Sequence, residues 1–412
     1  MTARIVIITR AFPYLPGEQF VEPEASFWAR DEASVVVMPW AVQGDPRPVP
    51  EVVTVDPVLS RISRRQRQTA RLKAPLNKLF WHELGWLARH GRLNRATALE
   101  VVRGVGGALV TRDVLQQWIQ DNGPIDVVYT YWWDVWTYGA QLLKGNGVGH
   151  VVTRAHGYDL YEYRHPSGFL SGKRSLGPHL DAFLAISRDG EQAALDYGLA
   201  RESVQLAPLG VALPDVEAPT SPDGELHVVS TATFTPVKRL DRMIDGLAVL
   251  CREHPELRVV WTHFGEGELR GEIEARLEAV SGLDNLTATL RGNVPNGTIR
   301  EHFTHQPVDV FVNTSESEGV PVSIMEAMAF GVPALAPAVG GIGDMVPADG
   351  PGGSLMSDAP DAGEIAATLW AWRERAKLPR ERAAARAVIA HRYDEAKNYS
   401  GLMDQLIAMA AS

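Results

Sequence analysis

The sequence contains little of what would mark a disulfide-stabilised, membrane-spanning or fibrous protein. Its 412 residues include a single cysteine, Cys251, so neither an internal disulfide nor a cysteine-based metal site can form. No apolar run reaches the ~18 residues that a membrane-spanning helix needs. Hydrophobic residues make up 45% and charged residues 22%, as in ordinary globular proteins. The composition therefore predicts two or three globular domains in a reducing compartment.

Several well-known catalytic patterns are also missing. The sequence has no Gly-x-x-x-x-Gly-Lys-Ser/Thr loop, no Gly-x-Ser-x-Gly turn, no His-Glu-x-x-His pair and no Asp-x-Asp motif. The first three would indicate a phosphate-binding loop, a serine nucleophile and a zinc site, respectively. The first ten residues hold too short an apolar core for a signal peptide, and they predict a buried strand instead.

Charge is distributed unevenly along the chain. The net charge of −10 disfavours a general nucleic-acid binder, yet residues 61–95 carry ten basic residues and one acidic residue, Glu83. Two interpretations of this segment stay open: a helix lying on an anionic membrane, or a core-packed helix with a solvated basic face. A polyanionic polysaccharide would fit the basic charge as well. The apolar face of the predicted helix comprises Leu76, Leu79, Phe80, Leu84, Leu87 and Ala88.

Apolar runs of strand length alternate with amphipathic stretches along most of the chain. This alternation predicts an α/β protein whose parallel sheets carry helices on both faces. The predicted strands are Arg4–Thr9, Ser34–Met38, Asp126–Tyr131, Val151–Thr153, Ala182–Ile186, His227–Ser230, Arg258–Thr262 and Val308–Val312.

A proline-rich break at residues 213–225 divides this pattern into two halves. Three prolines and few apolar residues are typical of a linker. We therefore predict one domain at 1–212, a second at 226–392, and a helix at 393–412 that can pack on either. Ligands of such sheets bind beyond the carboxyl ends of the strands, so the expected site is a cleft between two facing sheets.

The most informative stretch is residues 314–333, which follow the predicted strand Val308–Val312. Gly319 allows a close approach of the backbone to a ligand, and Pro321 suits the first turn of a helix. A helix amino terminus at this position can hold phosphate. Glu326, inside the helix, can accept two hydrogen bonds from a ribose diol, and Glu318 can contact sugar hydroxyls. The alternative is that Glu318 only caps the helix and Glu326 is only exposed.

This stretch resembles the E-x7-E region of the retaining family 4 glycosyltransferases with the GT-B fold. Glu318 and Glu326 stand at the two glutamate positions, within Gly319-Val-Pro321 and Glu326-Ala-Met-Ala-Phe-Gly-Val-Pro333. The later Gly340-Gly341-Ile342 fits the family's Gly-Gly turn. The resemblance implies two Rossmann-like domains that face each other across a donor and acceptor cleft.

Residues 235–244 resemble the family's diphosphate-binding turn, which places Lys238 at the phosphates. Lysine suits that role as a flexible point charge. The sequence departs from the family at Thr233, where an arginine is usual, and the adjacent Arg239 is the candidate for the second cation. Without the resemblance, Lys238 reads equally well as a solvated lysine before a helix.

Two further turns extend the implied donor site. Phe264–Glu268 resembles the family's Gly-x-Gly turn under the nucleoside, and Arg291–Val294 resembles the segment whose backbone faces the base. The resemblance thus implies a donor site made of Gly17, Lys238, Arg239, Gly265, Asn293, Val294, Glu318, Gly319, Val320, Pro321, Val322 and Glu326.

In the first half, Gly17 stands where the family has a glycine-rich turn beside the donor phosphates. His156 follows a strand where the family places a histidine near the transferred sugar. With Lys238 and Glu318, it completes the implied catalytic set. Tryptophan faces can stack on sugars, although they serve as core residues about as often. The acceptor residues that we expect are Glu18, Trp132, Trp133 and Asp159.

The resemblance implies a retaining hexosyltransferase that uses a UDP-sugar first, or GDP-mannose second, and a saccharide or lipid-linked saccharide acceptor. No metal or other cofactor is expected, nor is any nucleic-acid partner. We expect a cytoplasmic protein, with residues 61–95 offering contact to the inner face of the membrane. The alternatives are another GT-B enzyme, such as a nucleotide-sugar epimerase or phosphorylase, and a non-catalytic sensor or partner subunit.

Overall fold

The structure, a computed structural model, describes residues 2–15 and 17–411. The chain divides into two units: unit 1 is Met1–Pro208 with Ala396–Ser412, and unit 2 is Leu209–Glu395. This boundary lies four residues before the predicted one at 212/213. The predicted linker 213–225 lies within unit 2, because Ala218 N–H donates to the carbonyl of Phe330 at 2.9 Å and Val308 N–H to that of Pro219 at 2.8 Å.

In the described residues, unit 1 contains one parallel sheet of seven strands in the order β3-β2-β1-β4-β5-β6-β7. The strands are β1 (Ala3–Thr9), β2 (Ala33–Pro39), β3 (Thr54–Val55), β4 (Ile125–Thr130), β5 (Val148–Ala155), β6 (Ala182–Ala185) and β7 (Val204–Leu206).

The helices of unit 1 cover both faces of this sheet. They are α1 (Glu22–Ala25), α2 (Arg64–Lys73), α3 (Lys78–Arg89), α4 (Arg95–Asn122), α5 (Val135–Gln141), α6 (Gly157–Leu160), α7 (Lys173–Leu176) and α8 (Arg188–Asp196), with the last helix of the chain, given below. Alternate residues of β1 enter different cores: Val6 and Ile8 face one core, and Ile5 and Ile7 face the other. Burial on both faces explains why the run Ile5–Ile8 is continuously apolar.

In the described residues, unit 2 contains a second seven-stranded sheet in the order β10-β9-β8-β11-β12-β14-β13, and β13 alone is antiparallel. Its strands are β8 (Glu225–Thr231), β9 (Arg258–Phe264), β10 (Leu286–Leu290), β11 (Val310–Val312), β12 (Ala334–Pro337), β13 (Asp349–Gly350) and β14 (Gly353–Met356). Its helices are α9 (Leu240–Glu253), α10 (Arg270–Glu278), α11 (Asn296–His305), α12 (Val322–Ala329), α13 (Ala362–Arg375) and α14 (Pro379–Arg392).

The last helix, α15 (Glu395–Ala410), begins at the final residue of unit 2 and then belongs to unit 1. Leu402, Met403 and Leu406 are buried in the same core as Ile5 and Ile7. This helix therefore closes one face of the first sheet. None of the helices in the described residues is long and apolar enough to cross a membrane.

The structure contains a strand at each of the eight predicted positions and confirms the parallel α/β class. Short edge strands such as β7 and β13 were not predicted, since two to three residues leave no periodicity to read. The apolar helical face predicted from Leu76 to Ala88 exists in part: Phe80 and Leu87 are buried in the core of unit 1. Leu76, by contrast, is 86% exposed.

Candidate active site

The polar loop after β11 is organised around Glu318. This glutamate is 8% exposed, and its Oε1 accepts hydrogen bonds from Lys238 Nζ at 2.7 Å and Asn313 Nδ2 at 3.2 Å. Asn313 Oδ1 in turn accepts from the N–H of Ser315 at 2.8 Å, which fixes the start of the loop. The lysine and the glutamate predicted as catalytic residues are therefore direct partners.

Lys238 is held by the loop that it faces. The turn that carries it follows β8, and β8 is the sheet neighbour of β11, so both turns leave the same edge of the sheet. Thr314 Oγ1 donates to the carbonyl of Lys238 at 2.9 Å, and Glu316 N–H donates to the carbonyl of Val237 at 2.8 Å. These bonds join the two loops, so the position of the ammonium group is set by both.

Arg239, the predicted second cation, is engaged elsewhere. Its backbone is left-handed with φ 49°, and its guanidinium donates to Asp241 at 2.9 and 3.0 Å and also to Glu316. These two carboxylates raise the pKa of Arg239 above its usual value. Thr233, where an arginine was expected, is exposed. Of these groups, only Lys238 is paired with Glu318.

Helix α12 begins right after Pro321, as the sequence predicted, with Val322 as its first residue. The N–H of Ile324 donates to the carbonyl of Pro321 at 3.1 Å, and the N–H groups before it have no acceptor inside the helix, so this end is suited to an anion. Glu326 lies one turn further, and its Oε1 accepts from Asn296 Nδ2 at 2.6 Å. Burial raises the pKa of Glu326, while the hydrogen bond from Asn296 and the charge of Arg300 act in the opposite direction.

A Gly-Gly turn supports the loop from behind. Gly341 N–H donates to the carbonyl of Gly319 at 2.7 Å, and Gly340 adopts φ +52°. A Cβ on Gly340 would lie 2.0 Å from the carbonyl oxygen of Glu318, which no side chain tolerates. Gly340 therefore permits the close approach that holds Glu318 and Gly319 in place.

Gly265 has a comparable structural reason to be glycine. It adopts φ +146°, and a Cβ there would lie 1.8 Å from the carbonyl oxygen of Ala232. Its N–H donates to the carbonyl of Gly292 at 2.9 Å, so the turns after β8, β9 and β10 are stacked on one another. The next residues along that last turn are the exposed Asn293 and the half-buried Val294.

In unit 1, Gly17 and Glu18 form the turn after β1, and both have positive φ, at 96° and 52°. The Glu18 carboxylate is turned inward. It accepts from the N–H groups of Arg10 at 3.1 Å, Ala11 at 2.5 Å and Phe12 at 2.5 Å, and from Trp132 Nε1 at 2.5 Å. A carboxylate has about four acceptor positions, so all are filled. Glu18, expected to bind the acceptor, anchors this turn and Trp132.

His156 sits in an aromatic setting at the end of β5. Its ring lies 5.0 Å from that of Tyr131 and 4.5 Å from that of Trp132, measured between centroids. Both ring nitrogens are buried and have no hydrogen-bond partner among the described residues. Burial, and secondarily the charge of Arg154, lower the pKa of His156 well below its usual value. The imidazole is therefore neutral at neutral pH.

Asp159 and Trp133, also expected at the acceptor, have structural roles. Asp159 accepts from the backbone N–H of His156 at 2.6 Å and of Trp133 at 2.7 Å, and so ties together the loops after β5 and β4. Burial raises its pKa to about 7, against the lowering effect of Lys173. Trp133 is 1% exposed, and Lys173 Nζ lies 4.1 Å from the centroid of its ring.

A cavity of about 590 Å³ opens next to these residues within unit 1. Its wall comes from the carboxyl ends of β1, β2, β4 and β5 and from α4, which is the edge where α/β sheets bind ligands. The chemically distinctive lining residues are Arg10, Trp40, Glu100, Arg103, Tyr158 and Lys173. Aromatic faces beside charges of both signs suit a polyhydroxylated ligand.

An ion pair lies below this edge in the core of unit 1. Arg154 and Glu24 are 1% and 0% exposed, and Arg154 Nη1 donates to Glu24. The guanidinium also lies 5.4 Å from the ring centroid of Tyr131. Because His156 stacks on Tyr131, the buried guanidinium of Arg154 lowers the pKa of His156 from a fixed position.

Sequence reasoning missed three polar residues that shape these sites: Asn296, Asn313 and Lys173. Asn296 opens α11, and its side chain donates to Glu326. Asn313 directly follows β11, so its place at a strand's carboxyl end was a usable signal. Nothing in the local sequence around Lys173 marks it.

Comparison with solved structures identifies the fold class. The lipopolysaccharide outer core galactosyltransferase WaaB superposes with a TM-score of 0.67 at 15% identity, over 98% of this chain and 99% of that one. Anabaena HepE, solved with UDP, gives 0.63 at 15% identity over 98% and 100%. Sucrose-phosphate synthase from Thermosynechococcus elongatus gives 0.67 at 17% identity over the whole of both chains. The fold is therefore GT-B, as the sequence predicted.

Sequence comparison matches part of the chain to a known family. Residues 215–400 match the family model of glycosyl transferases group 1. The protein named "Putative colanic acid biosynthesis glycosyltransferase WcaL" from Escherichia coli (strain K12) is 26% identical over 300 residues, which are 69% of this chain and 68% of that protein. The chain is therefore similar to glycosyl transferases group 1, and these matches support glycosyltransferase activity.

Proposed function

We propose that this chain is a retaining hexosyltransferase that takes its sugar from a nucleoside-diphosphate sugar. UDP-sugar is the first candidate donor and GDP-mannose the second, and the acceptor is a hydroxyl of a saccharide or lipid-linked saccharide. The observation that carries the proposal is the Lys238–Glu318 pair, 2.7 Å apart, beside the amino terminus of α12. The complex of HepE with UDP-glucose favours a UDP-sugar.

The arrangement suits a donor diphosphate because the positive groups share one edge of the sheet. Lys238 supplies a full charge, and the backbone N–H groups near Gly319 and Val320 supply hydrogen bonds beside the helix dipole. Glu326, one turn into α12, would accept hydrogen bonds from the ribose diol. We expect these groups to do the work of a divalent ion, so the proposed reaction needs no metal.

The Lys238–Glu318 pair also suggests how donor binding rearranges the site. A diphosphate oxygen would compete with Glu318 for Lys238 Nζ, since both are anions that seek the same ammonium group. Once displaced, Glu318 would be free to accept hydrogen bonds from the hydroxyls of the sugar. Without ligand, the ion pair would hold both side chains in the site. With the donor bound, Lys238 would contact the diphosphate and Glu318 would contact the sugar.

Transfer with retention would then proceed on one face of the sugar. The bond between the anomeric carbon and the diphosphate oxygen breaks, and its electron pair stays with the diphosphate. The acceptor oxygen forms the new bond to the anomeric carbon, and its proton passes to a diphosphate oxygen. Stabilisation of the leaving diphosphate by Lys238 and backbone N–H groups would provide the main rate enhancement.

Unit 1 would supply the acceptor side. The 590 Å³ cavity at the carboxyl edge of its sheet offers aromatic faces and charged groups to a saccharide. His156 is neutral, so it would act as a hydrogen-bonding group for substrate rather than as a proton donor. Its two unpartnered ring nitrogens are consistent with a ligand that completes their hydrogen bonds.

Thermal shift with UDP, GDP, ADP and TDP and their common sugar conjugates tests donor binding. A ligand at a hundred times its dissociation constant adds about 2.7 kcal/mol of stability. In calorimetry, Glu326→Ala should weaken binding of the nucleotide that this screen selects. Glu301 is an exposed glutamate on α11, and Glu301→Ala should leave that binding unchanged. If no nucleotide raises the melting temperature, the proposed donor site is wrong.

Turnover is tested separately with the donor that this screen selects. Release of nucleoside diphosphate only when a saccharide acceptor is present, in a one-to-one ratio with glycosylated product, is expected for transfer. Release without an acceptor, or isomerised donor, would favour an epimerase or phosphorylase. Tight binding with no turnover across a broad acceptor panel would favour a sensor, for which the exposed Thr233 in place of an arginine is the supporting feature.

A further inference from the structure

An exposed apolar tip projects from the most basic part of unit 1. Leu72, in the last turn of α2, is 82% exposed, Leu76 is 86% exposed, and Trp81 on α3 is 60% exposed. The two leucines are the most exposed large hydrophobic side chains in the described part of the chain. We call these three residues the apolar tip. Solvent exposure of large hydrophobic groups in one place marks an interaction site.

The three residues are neighbours through the turn that joins α2 to α3. The backbone stays helical through Lys73 and Ala74, so Leu72 and Leu76, four residues apart, fall on one side. Trp81 Nε1 donates to the carbonyl of Pro75 at 2.8 Å, which holds the indole against the same turn. The apolar tip is therefore a fixed feature of the surface.

The core does not need these side chains. The inward face of α3 is formed by Phe80 and Leu87, which are 8% and 0% exposed, with Leu84 packed against the same core. Within the apolar face that the sequence predicted, Phe80, Leu84 and Leu87 are thus packed into the core, whereas Leu76 is exposed. The outward residues of the turn remain uncovered after the fold is complete.

The tip is surrounded by an excess of positive charge. Arg64, Arg65, Arg71, Lys73 and Lys78 are exposed, and no carboxylate of the described residues lies within ion-pair distance of them. The segment's one acid, Glu83, is 3% exposed and accepts from Gly172 N–H at 2.9 Å and Ser171 Oγ at 3.2 Å. Folding therefore withdraws this acid from the surface, and two exposed acids of α4, Asp113 and Asp121, line a pocket with Arg65 and Lys73.

We propose that the apolar tip and its basic surround form a docking surface for an anionic lipid bilayer. The cations would lie among the headgroups, and Leu72, Leu76 and Trp81 would enter the boundary with the acyl chains. A soluble polyanion would satisfy the charges but leave the leucines in water. Tryptophan with leucine beside exposed lysine and arginine matches an interface that is apolar on one side and charged on the other. The surface is separate from the donor site in unit 2 and does not depend on it.

The test is sedimentation of the full chain with vesicles of phosphatidylcholine alone and of phosphatidylcholine with 30% phosphatidylglycerol. We expect binding to the anionic vesicles only, and weaker binding as salt rises. The double variant Leu72→Ser/Leu76→Ser should bind them at least about tenfold less tightly, because it removes the inserted apolar groups. Lys73→Gln and Lys78→Gln should each cost about fivefold.

Matched controls separate insertion from other effects. Val52→Ser removes another exposed hydrophobic residue, 70% exposed, and should leave binding unchanged. Trp81→Phe should lose most of the fluorescence quenching that brominated lipids cause in the parent. Since all these side chains face solvent, melting temperatures should stay at the parental value, and Lys78→Gln serves as the alternative if the double variant is unstable.

Three results would overturn the proposal. The parent fails to bind anionic vesicles, or the double variant binds them as well as the parent does. The third result is that heparin binds the parent at low micromolar concentration while anionic vesicles do not bind it. This would assign the basic surround to a polyanionic saccharide.

Discussion

Removal of the Lys238 ammonium group should weaken nucleotide binding by a calculable amount. A hydrogen bond to a charged group contributes about 1.5–3 kcal/mol, and the Lys238 side chain is 23% exposed, so water screens part of its charge. In the unliganded protein the same group already bonds Glu318, and that bond must be given up. We therefore expect Lys238→Met to weaken the binding of UDP by about 2 kcal/mol, or roughly 30-fold in dissociation constant.

The partner residue should show the opposite behaviour. Glu318→Gln removes the anion that competes with the diphosphate for Lys238, so UDP should bind about two- to fivefold more tightly, the strength of a partly exposed ion pair. The sugar conjugate of UDP should gain less or lose affinity, because the proposed contact of Glu318 with the sugar is weakened. Calorimetric titration of both ligands against both variants measures this difference.

Arg239→Met is the matched control. It removes a neighbouring cation that is already paired with Asp241 and Glu316, so UDP affinity should change less than threefold. The reasoning is refuted if Arg239→Met weakens UDP as much as Lys238→Met does, or if Lys238→Met leaves the affinity within twofold of the parent. Either result would show that the diphosphate is held by other groups.

Three further predictions concern stability, each read from urea unfolding. Burial lowers the pKa of His263 to about 4; between pH 6.5 and 4 the unfolded chain therefore binds the extra proton, and stability falls as the pH falls. Between pH 7 and 4.5, the free energy of unfolding should fall by roughly 2–3 kcal/mol less in His263→Gln than in the parent. An equal fall in both proteins would contradict this. Gly265→Ala should cost roughly 2–4 kcal/mol through its clash with the Ala232 carbonyl, and a cost below 1 kcal/mol would mean that the turn yields. Glu24→Gln should cost about 3–5 kcal/mol because Arg154 would remain buried without a counter-charge, and near-parental stability would show that water reaches it.

The features predictable from the sequence were those encoded within one short segment. The strand β1 could be read from four consecutive apolar residues, because a strand buried on both faces needs no alternation. Helix α12 could be located because Pro321 marks its start and Gly331, with φ +75°, marks its end. In both cases the relevant physical constraint acts between near neighbours in the chain.

What could not be predicted depends on partners far along the chain. Glu18 looked available to a ligand, but Trp132, 114 residues later, and three backbone N–H groups fill its carboxylate. Arg239 was predicted to lie at the phosphates, and its contact with Glu316, 77 residues later, could not be read from the sequence. The outward and inward faces of α3 could be separated only when the core that receives Phe80 was known.

The contribution of α15 to the core of unit 1 has a consequence for how the protein is made. At roughly 5–20 residues per second, a ribosome finishes Leu402 and Met403 on the order of 20–80 s after β1. Through that interval the β1 side chains Ile5 and Ile7 lack the helix that covers their face, while unit 2 is already complete. Truncated messages or proteolytic cuts that remove α15 would therefore damage a unit whose first strand was synthesised much earlier. Early-exposed apolar surface of this kind is what holding chaperones recognise, and nascent chains stalled before Ala396 should be their main clients.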